Sequence, residues 1–286
     1  MNAEKKIIPM LNYNNGSPSS YLGDIPCASL NNAGLVTGAL SAVVLQTGST
    51  LTNMNAEMNV DSGQTIAYAL GGFALTQGIG AGQLLGKYCK FTSTYLNTNI
   101  TMDPATIEDD ILQSSMDATL PHQFRVIQVR ARRNKMVAQG AQINDIGEPS
   151  LGYNLFLNEE GKPRGIISDM ATTDAFTWFV NRQMWTVLKD ERFTLAGNVL
   201  TQSTNNIGFN AGVSQHKPSR FKKYWLPKPN TKVRYPFGVA SGDTLDPVDF
   251  NYITHTIILA KSTSTGERPS YHWNVTCNGA TAFIDE

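Results

Sequence analysis

From residue 87 onward this 286-residue chain is a succession of short β-branched and aromatic segments. They alternate with period two and are bounded by Gly, Pro, Asn and Asp, which is the signature of strands. Residues 87–102 (KYCKFTSTYLNTNITM) are Thr-rich and carry no helical stripe. Residues 123–130 set Phe124 and Val126 against Ile127 and Val129. Residues 182–188 alternate Met184, Thr186 and Leu188 with Trp185 and Val187. Residues 221–226 put Phe221, Lys223 and Trp225 on one face, with Tyr224 and Leu226 opposite. Residues 232–235 and 271–277 continue the series, 252–260 is a mostly apolar run, and 64–75 reads as a short strand or a strand-like lead-in before it. About eight strands without βαβ alternation predict an antiparallel sandwich.

Helical signals are few. Residues 104–115 (PATIEDDILQSS) read as a short helix, with Pro104 suited to its first turn and acids near its positive end. Residues 173–180 read as a turn of helix or the start of a strand. Two long excursions, 136–176 and 236–250, interrupt the strands. The first sixty residues are rich in Asn, Ser, Gly, Ala and Thr and poor in charge, and read as an extended arm. The domain division is therefore an arm over 1–60 and a sandwich over 61–286. Trp185, Phe193, Tyr224, Val233, Ile257 and Trp273 are the candidates for the layer between its sheets.

The net charge is zero, with 23 basic and 23 acidic side chains, but the charges are segregated. Arg125, Arg130, Arg132, Arg133 and Lys135 fall in residues 122–135, which contain no acid. Lys217, Arg220, Lys222, Lys223, Lys228, Lys232 and Arg234 fall in residues 217–235, again without an acid. Two such strips, if joined by the fold, would attract a phosphate backbone whatever its sequence. Solvated edge strands protected by Lys and Arg are the plainer alternative.

Most chemistry is excluded by spacing. QGIGAGQLLG (Gly78, Gly80, Gly82, Gly86) lacks the spacing of a dinucleotide loop and precedes a strand, whereas pyrophosphate needs a helix N-terminus. His122, His216, His255 and His272 are scattered, so no zinc site is expected. There is no GxSxG elbow. Glu108, Asp109 and Asp110 offer the hard oxygens that calcium accepts, or simply acids at a helix start. Cys27, Cys89 and Cys277 are odd in number and far apart, which predicts buried reduced thiols. The opening MNAEKKIIPMLNY lacks the apolar region of a secretory signal, so a reducing compartment is expected. No segment is apolar enough to span a bilayer as a helix. Without a catalytic constellation, an enzyme is not expected, and neither is a cofactor.

Four segments, in order, resemble capsid proteins of small circular single-stranded DNA viruses that encode a rolling-circle replication protein (circovirus-like or bacilladnavirus-like). They are LTQGIGAGQLLGKYCKFTSTYLNTNI, FRVIQVRARRNK, MWTVLKDERFTL and FKKYWLPKPNTKVRY, with FIDE at the end. The resemblance covers roughly residues 75–286. Leu84 and Leu85 stand where many relatives have Arg, and the Arg-rich arm of relatives is represented only by Lys5 and Lys6. The resemblance implies a viral jelly roll of two facing four-stranded sheets, with 136–176 in the loop between the third and fourth strands. It implies an icosahedral shell of many copies around a single-stranded DNA genome, formed in a virion after synthesis in host cytoplasm or nucleus. Structural calcium at subunit interfaces would fit such a shell. The expected nucleic-acid contacts are Arg130, Arg132, Arg133, Lys135, Lys217, Arg220, Lys222 and Lys223. An RNA-virus capsid shares the fold, and a lectin-like jelly roll, with Trp178 and Trp185 as its sugar contacts, is the non-viral alternative.

Overall fold

The computed structural model describes residues 5–10, 20–26, 29–30, 36–37, 41–48, 65–102, 105–107, 121–132, 149–166, 172–197, 199–202, 209–212, 217–236, 244–245, 252–262 and 272–285. Fourteen of its strands are labelled here in chain order. They are β1 (Lys5–Pro9), β2 (Ser20–Pro26), β3 (Ser41–Gln46), β4 (Thr65–Ala69), β5 (Tyr88–Met102), β6 (His122–Ala131), β7 (Phe156–Leu157), β8 (Pro163–Arg164), β9 (Phe179–Val180), β10 (Trp185–Leu195), β11 (Ser219–Trp225), β12 (Val233–Arg234), β13 (Thr254–Ser262) and β14 (His272–Asp285). A single turn and a half of helix, α1 (Thr172–Thr177), precedes β9.

Two sheets dominate. The first is six-stranded: β1 and β2 pair with β14, β14 with β5, and β5 with β11 and β12. The second is five-stranded, in the order β10-β6-β13-β3-β4. All these pairings are antiparallel except β3 with β4, which is parallel. Taking β1 and β2 together as the first strand, the sheets follow the chain order 1-8-3-6 and 2-7-4-5. That is the eight-strand jelly roll, two Greek keys folded face to face. The fold class expected from the strand pattern therefore stands, with extra strands widening each sheet beyond four.

The sixty residues expected as an arm supply β1 and β2 to the first sheet and β3 to the second. β3 escaped notice because it is buried on both faces. Val43 and Leu45 point between the sheets, while Ala42 and Val44 point to the far side. A strand of that kind shows a continuous apolar run of small residues, without alternation. Residues 11–19 and 49–64 lie outside those described.

The layer between the sheets holds Leu96, Ile100, Phe124, Val126, Tyr224, Ile258, Trp273 and Val275, with Phe193 packed against it. Phe124 stacks on Phe193 at 5.4 Å and meets Trp273 edge-on at 5.3 Å. Trp185 and Ile257, expected in this layer, lie instead on the opposite face of the second sheet. Val233 belongs to a third cluster with Phe73, Phe91 and Phe283 at one end of the first sheet.

Part of the excursion over 136–176 covers the far face of the second sheet. Its described parts, 149–166 and 172–176, with β9 beyond them, bury Leu151, Leu155, Phe156, Ile166, Phe176 and Val180 against Ile127, Val129, Trp185, Ile257 and Leu259. A small sheet, β8-β7-β9, braces this third layer. Gly165 runs so close to Gly152 that a Cβ would lie 1.7 Å from the Gly152 carbonyl oxygen. The excursion joins the fourth and fifth jelly-roll strands, one step later than expected.

Burial on both faces leaves β6 a charge to satisfy. Arg125 is 1% exposed. Its Nε and Nη2 donate to the two carboxylate oxygens of Asp190 at 2.9 and 2.6 Å, and Nη1 donates to the carbonyls of Ala175 and Trp178. Those last two bonds clamp the third layer to the sheet.

The helix expected over 104–115 is not formed at its start. Ala105–Ile107 is a strand, parallel to Val199–Gln202, as the β-branched Thr106 and Ile107 favour. The rest of that segment, with Glu108, Asp109 and Asp110, lies outside the described residues. Helix α1 and strand β9 together match the reading of 173–180. Cys89 and Cys277 are buried free thiols, and burial pushes the Cys277 thiol up to about 12; Cys27 is outside the described residues.

Two outcomes follow from this packing. Asp190→Ala strands a buried guanidinium and should lower unfolding free energy by about 3 kcal/mol, measured by urea titration. The double variant Arg125→Met, Asp190→Ala should regain most of that loss. Iodoacetamide at pH 8 should leave Cys89 and Cys277 unmodified in the native protein and label both after denaturation, as peptide mass mapping would report.

Candidate nucleic-acid interface

Strand β11 closes one edge of the path β1-β14-β5-β11, and its alternation splits the second basic strip between two faces. Arg220, Lys222 and Tyr224 point toward β10 of the opposite sheet. Phe221, Lys223 and Trp225 point outward.

On the inward side the partner is Glu191, in the middle of β10. It lies 3.3 Å from Arg220, 3.7 Å from Lys189 and 4.0 Å from Lys222, and accepts a 2.5 Å hydrogen bond from the Tyr224 hydroxyl. Arg220 also covers the Phe193 ring at 4.0 Å. Burial, and then the bond to Glu191, push the Tyr224 phenol well above its usual range, so it remains a neutral donor. Three cations on one carboxylate leave the cluster a net formal charge of +2.

On the outward side the Lys223 ammonium sits 4.0 Å from the Tyr95 ring centroid and 4.3 Å from that of Trp225. The two rings meet edge-on at 5.7 Å. Phe221 and Trp225 are 67% and 65% exposed. Asn97, which donates to Asn278 at 2.8 Å, extends this face across β5 and β14. Lys217 and Arg234 are exposed, and Lys228 donates to the Phe91 carbonyl.

The first strip does not join this surface. Arg125 is consumed inside the fold. Arg130 pairs in register with Thr186, and the Arg132 amide donates to the Met184 carbonyl, both at the start of β10. Lys217 accepts from the Ala196 amide just past the end of β10. The strand between spans roughly 33 Å at about 3.3 Å per residue. Arg130 and Arg132 therefore sit at the start of β10, whereas Arg220 and Lys222 meet its middle and Lys217 lies past its end, so the strips do not make a single patch. Arg133 and Lys135 lie outside the described residues.

Neither Lys189 nor Glu191, the acid that gathers the second strip, stands out along the chain, because the contact of Glu191 with that strip crosses between sheets. Arg182 was missed as well: it stands alone in sequence, yet lines a groove with Arg132. Among the described residues no group of three His, Cys, Asp or Glu side chains could hold a metal ion, and no helix is long and apolar enough to cross a membrane.

No family model matches the chain, and no curated protein matches it in sequence. Among solved structures it is similar to VP1 of Trichodysplasia spinulosa-associated polyomavirus, solved in complex with GM1 oligosaccharide. The identity is 9% and the TM-score 0.23, over 98% of this chain and 95% of that one. At that distance the fold rests on the strand connectivity alone.

Removing the carboxylate that draws the β11 cations together should expose them further. Glu191→Gln is expected to tighten binding of a labelled oligo-dT severalfold at low salt and to steepen its salt dependence, read by fluorescence anisotropy. Unchanged or weaker binding would remove this face from the candidate interface.

Proposed function

We propose that the chain is a structural subunit that assembles in many copies into an icosahedral shell around a viral single-stranded DNA genome. The observation that carries this reading is the set of large apolar side chains left in water by an otherwise well-buried sandwich. Ile7 is 64% exposed, Ile79 92%, Leu85 67%, Phe179 81%, Phe221 67% and Trp225 65%. Such residues scattered singly are ordinary. Here Ile7, Ile79 and Leu85 lie on or beside one sheet edge. Gly82, in the loop carrying Ile79 and Leu85, packs against Ile8, and the Leu85 amide donates to Asp285 beside β1. Phe221 and Trp225 lie on another. Grouped apolar surface of this kind marks contact between chains.

Zero net charge supports the same reading, since identical copies approach without mutual repulsion. The cations around Glu191 and the Lys223 cluster supply sequence-independent contacts to phosphate. The product is a virion component, and the chain catalyses nothing in this reading. A lectin-like role loses one of its contacts: Trp185 is fully buried, with its ring edge-on to His255. A capsid around RNA is separated from one around DNA by nuclease treatment of the extracted contents.

Neutralising Lys217, Arg220, Lys222 and Lys223 together should leave particles of tens of nanometres visible by electron microscopy, with a reduced 260/280 absorbance ratio. A normal nucleic-acid load in those particles would remove these four residues from the packaging role. A wild-type protein that stays at 31 kDa in size exclusion under all salt conditions would overturn the shell itself.

A further inference from the structure

A groove of about 730 Å³ runs between the third layer and strand β10. Its walls are Leu157 and Val187, and Phe179 stands beside them, 81% exposed. Arg132 and Arg182 line it, and the acid in its lining is Asp190. That carboxylate is already held by both donors of Arg125. Neither Arg132 nor Arg182 has an ion pair among the described residues, so the groove carries two uncompensated guanidinium groups over an apolar floor.

We propose that this groove holds one nucleotide of a single strand, with its phosphate on Arg132 and Arg182 and its base against Phe179. The proposal rests on the nucleic-acid part of the reading above and adds a site to it. The chemistry is specific to that occupant. Guanidinium groups match phosphate oxygens in a planar, bidentate fashion. An exposed ring next to them offers the stacking surface that single-strand binders use, which tolerates any base. The size is within the range of small-ligand sites.

The backbone holds both arginines firmly. The Arg132 amide donates to Met184, and the turn carrying Arg182 is capped by Asn181. The Asn181 side-chain oxygen accepts from the Gln183 amide, and its carbonyl accepts from Met184 and Trp185. Both side chains thus start from backbone that is fixed before any ligand arrives, which leaves only their own rotamers to be ordered on binding.

The test uses the full chain with labelled oligo-dT, an abasic strand of equal length and an acidic apolar peptide as competitor. Arg132→Gln with Arg182→Gln should weaken oligo-dT binding about tenfold near 0.1 M salt. It should also reduce the slope of log affinity against log salt by about 0.7, one single-strand phosphate contact. Phe179→Ala should weaken oligo-dT about tenfold, leave the slope unchanged and leave the abasic strand unaffected.

If the arginine pair changes neither affinity nor slope, the groove is not a phosphate site. Equal loss on both strands in Phe179→Ala would overturn base stacking, and displacement of oligo-dT by the peptide at lower concentration would assign the groove to a protein partner. Binding abolished by neutralising the β11 cations but untouched by the groove variants would sink the groove alone. A wild-type protein that binds no strand would sink the groove together with the nucleic-acid reading, while particle formation would still decide the shell.

Discussion

The Arg125 guanidinium occupies a place that no water reaches, midway along a strand with apolar layers on both sides. An uncompensated charge there would cost several kcal/mol, so the fold around it must deliver acceptors from elsewhere. Asp190 comes from the neighbouring strand. The carbonyls of Ala175 and Trp178 come from the excursion fifty residues downstream. The third layer is therefore a condition of the second sheet's folding rather than an ornament on it. With the layer in place, Ile127, Val129, Trp185 and Leu259 are dry, and the edge of the layer against β10 leaves the groove.

This burial also sorts the cations. A basic residue on a sheet covered on both faces must be paired, as Arg125 is, or lie at a strand end, as Arg130 and Arg132 do. On the edge strand β11 no such rule applies. There the alternation of the pleat sends Arg220 and Lys222 toward Glu191 and sends Lys223 between two aromatic rings. Clusters that look equivalent as lists of charges thus have different physical fates, set by the depth of the strand that bears them.

Much of the architecture was legible in the chain, and the reasons for the rest are specific. Strands β5, β6, β10, β11 and β14 announce themselves because β-branched and aromatic residues alternate along them, and β13 as a mostly apolar run. The alternation placed Phe221, Lys223 and Trp225 together on the correct face. β3 does not alternate, since Ala42 and Val44 face a layer as dry as that facing Val43 and Leu45. β1 is five residues long and carries two lysines, a composition shared with any polar tail. Trp185 and Ile257 were assigned to the wrong layer because period two identifies two faces and says nothing of which is inner when both are buried. The contact of Glu191 with Arg220 joins different sheets, at a separation that local spacing does not encode. Arg182 likewise meets Arg132 only through the turn at Asn181.

Magnitudes bear on why such a molecule would act in numbers. Burying one large apolar side chain contributes about 1.5–3 kcal/mol at most, and those on this surface are already partly covered. A contact made through Phe221 and Trp225 alone, or through Ile7, Ile79 and Leu85 alone, reaches at best the lower part of the roughly 4–15 kcal/mol that fixing two bodies in one orientation costs. A pair of copies is marginal. A copy held at several edges at once loses its freedom only once while gaining every contact, so a closed arrangement is stable where a dimer is not. In the proposed shell, bound polyanion would act in the same direction. Each strand segment held by cations on neighbouring copies would raise their local concentration, and salt would weaken that link first. Assembly would then be steep in protein concentration and sensitive to salt chiefly through the nucleic acid, because apolar edges would carry the contacts and the copies are neutral overall.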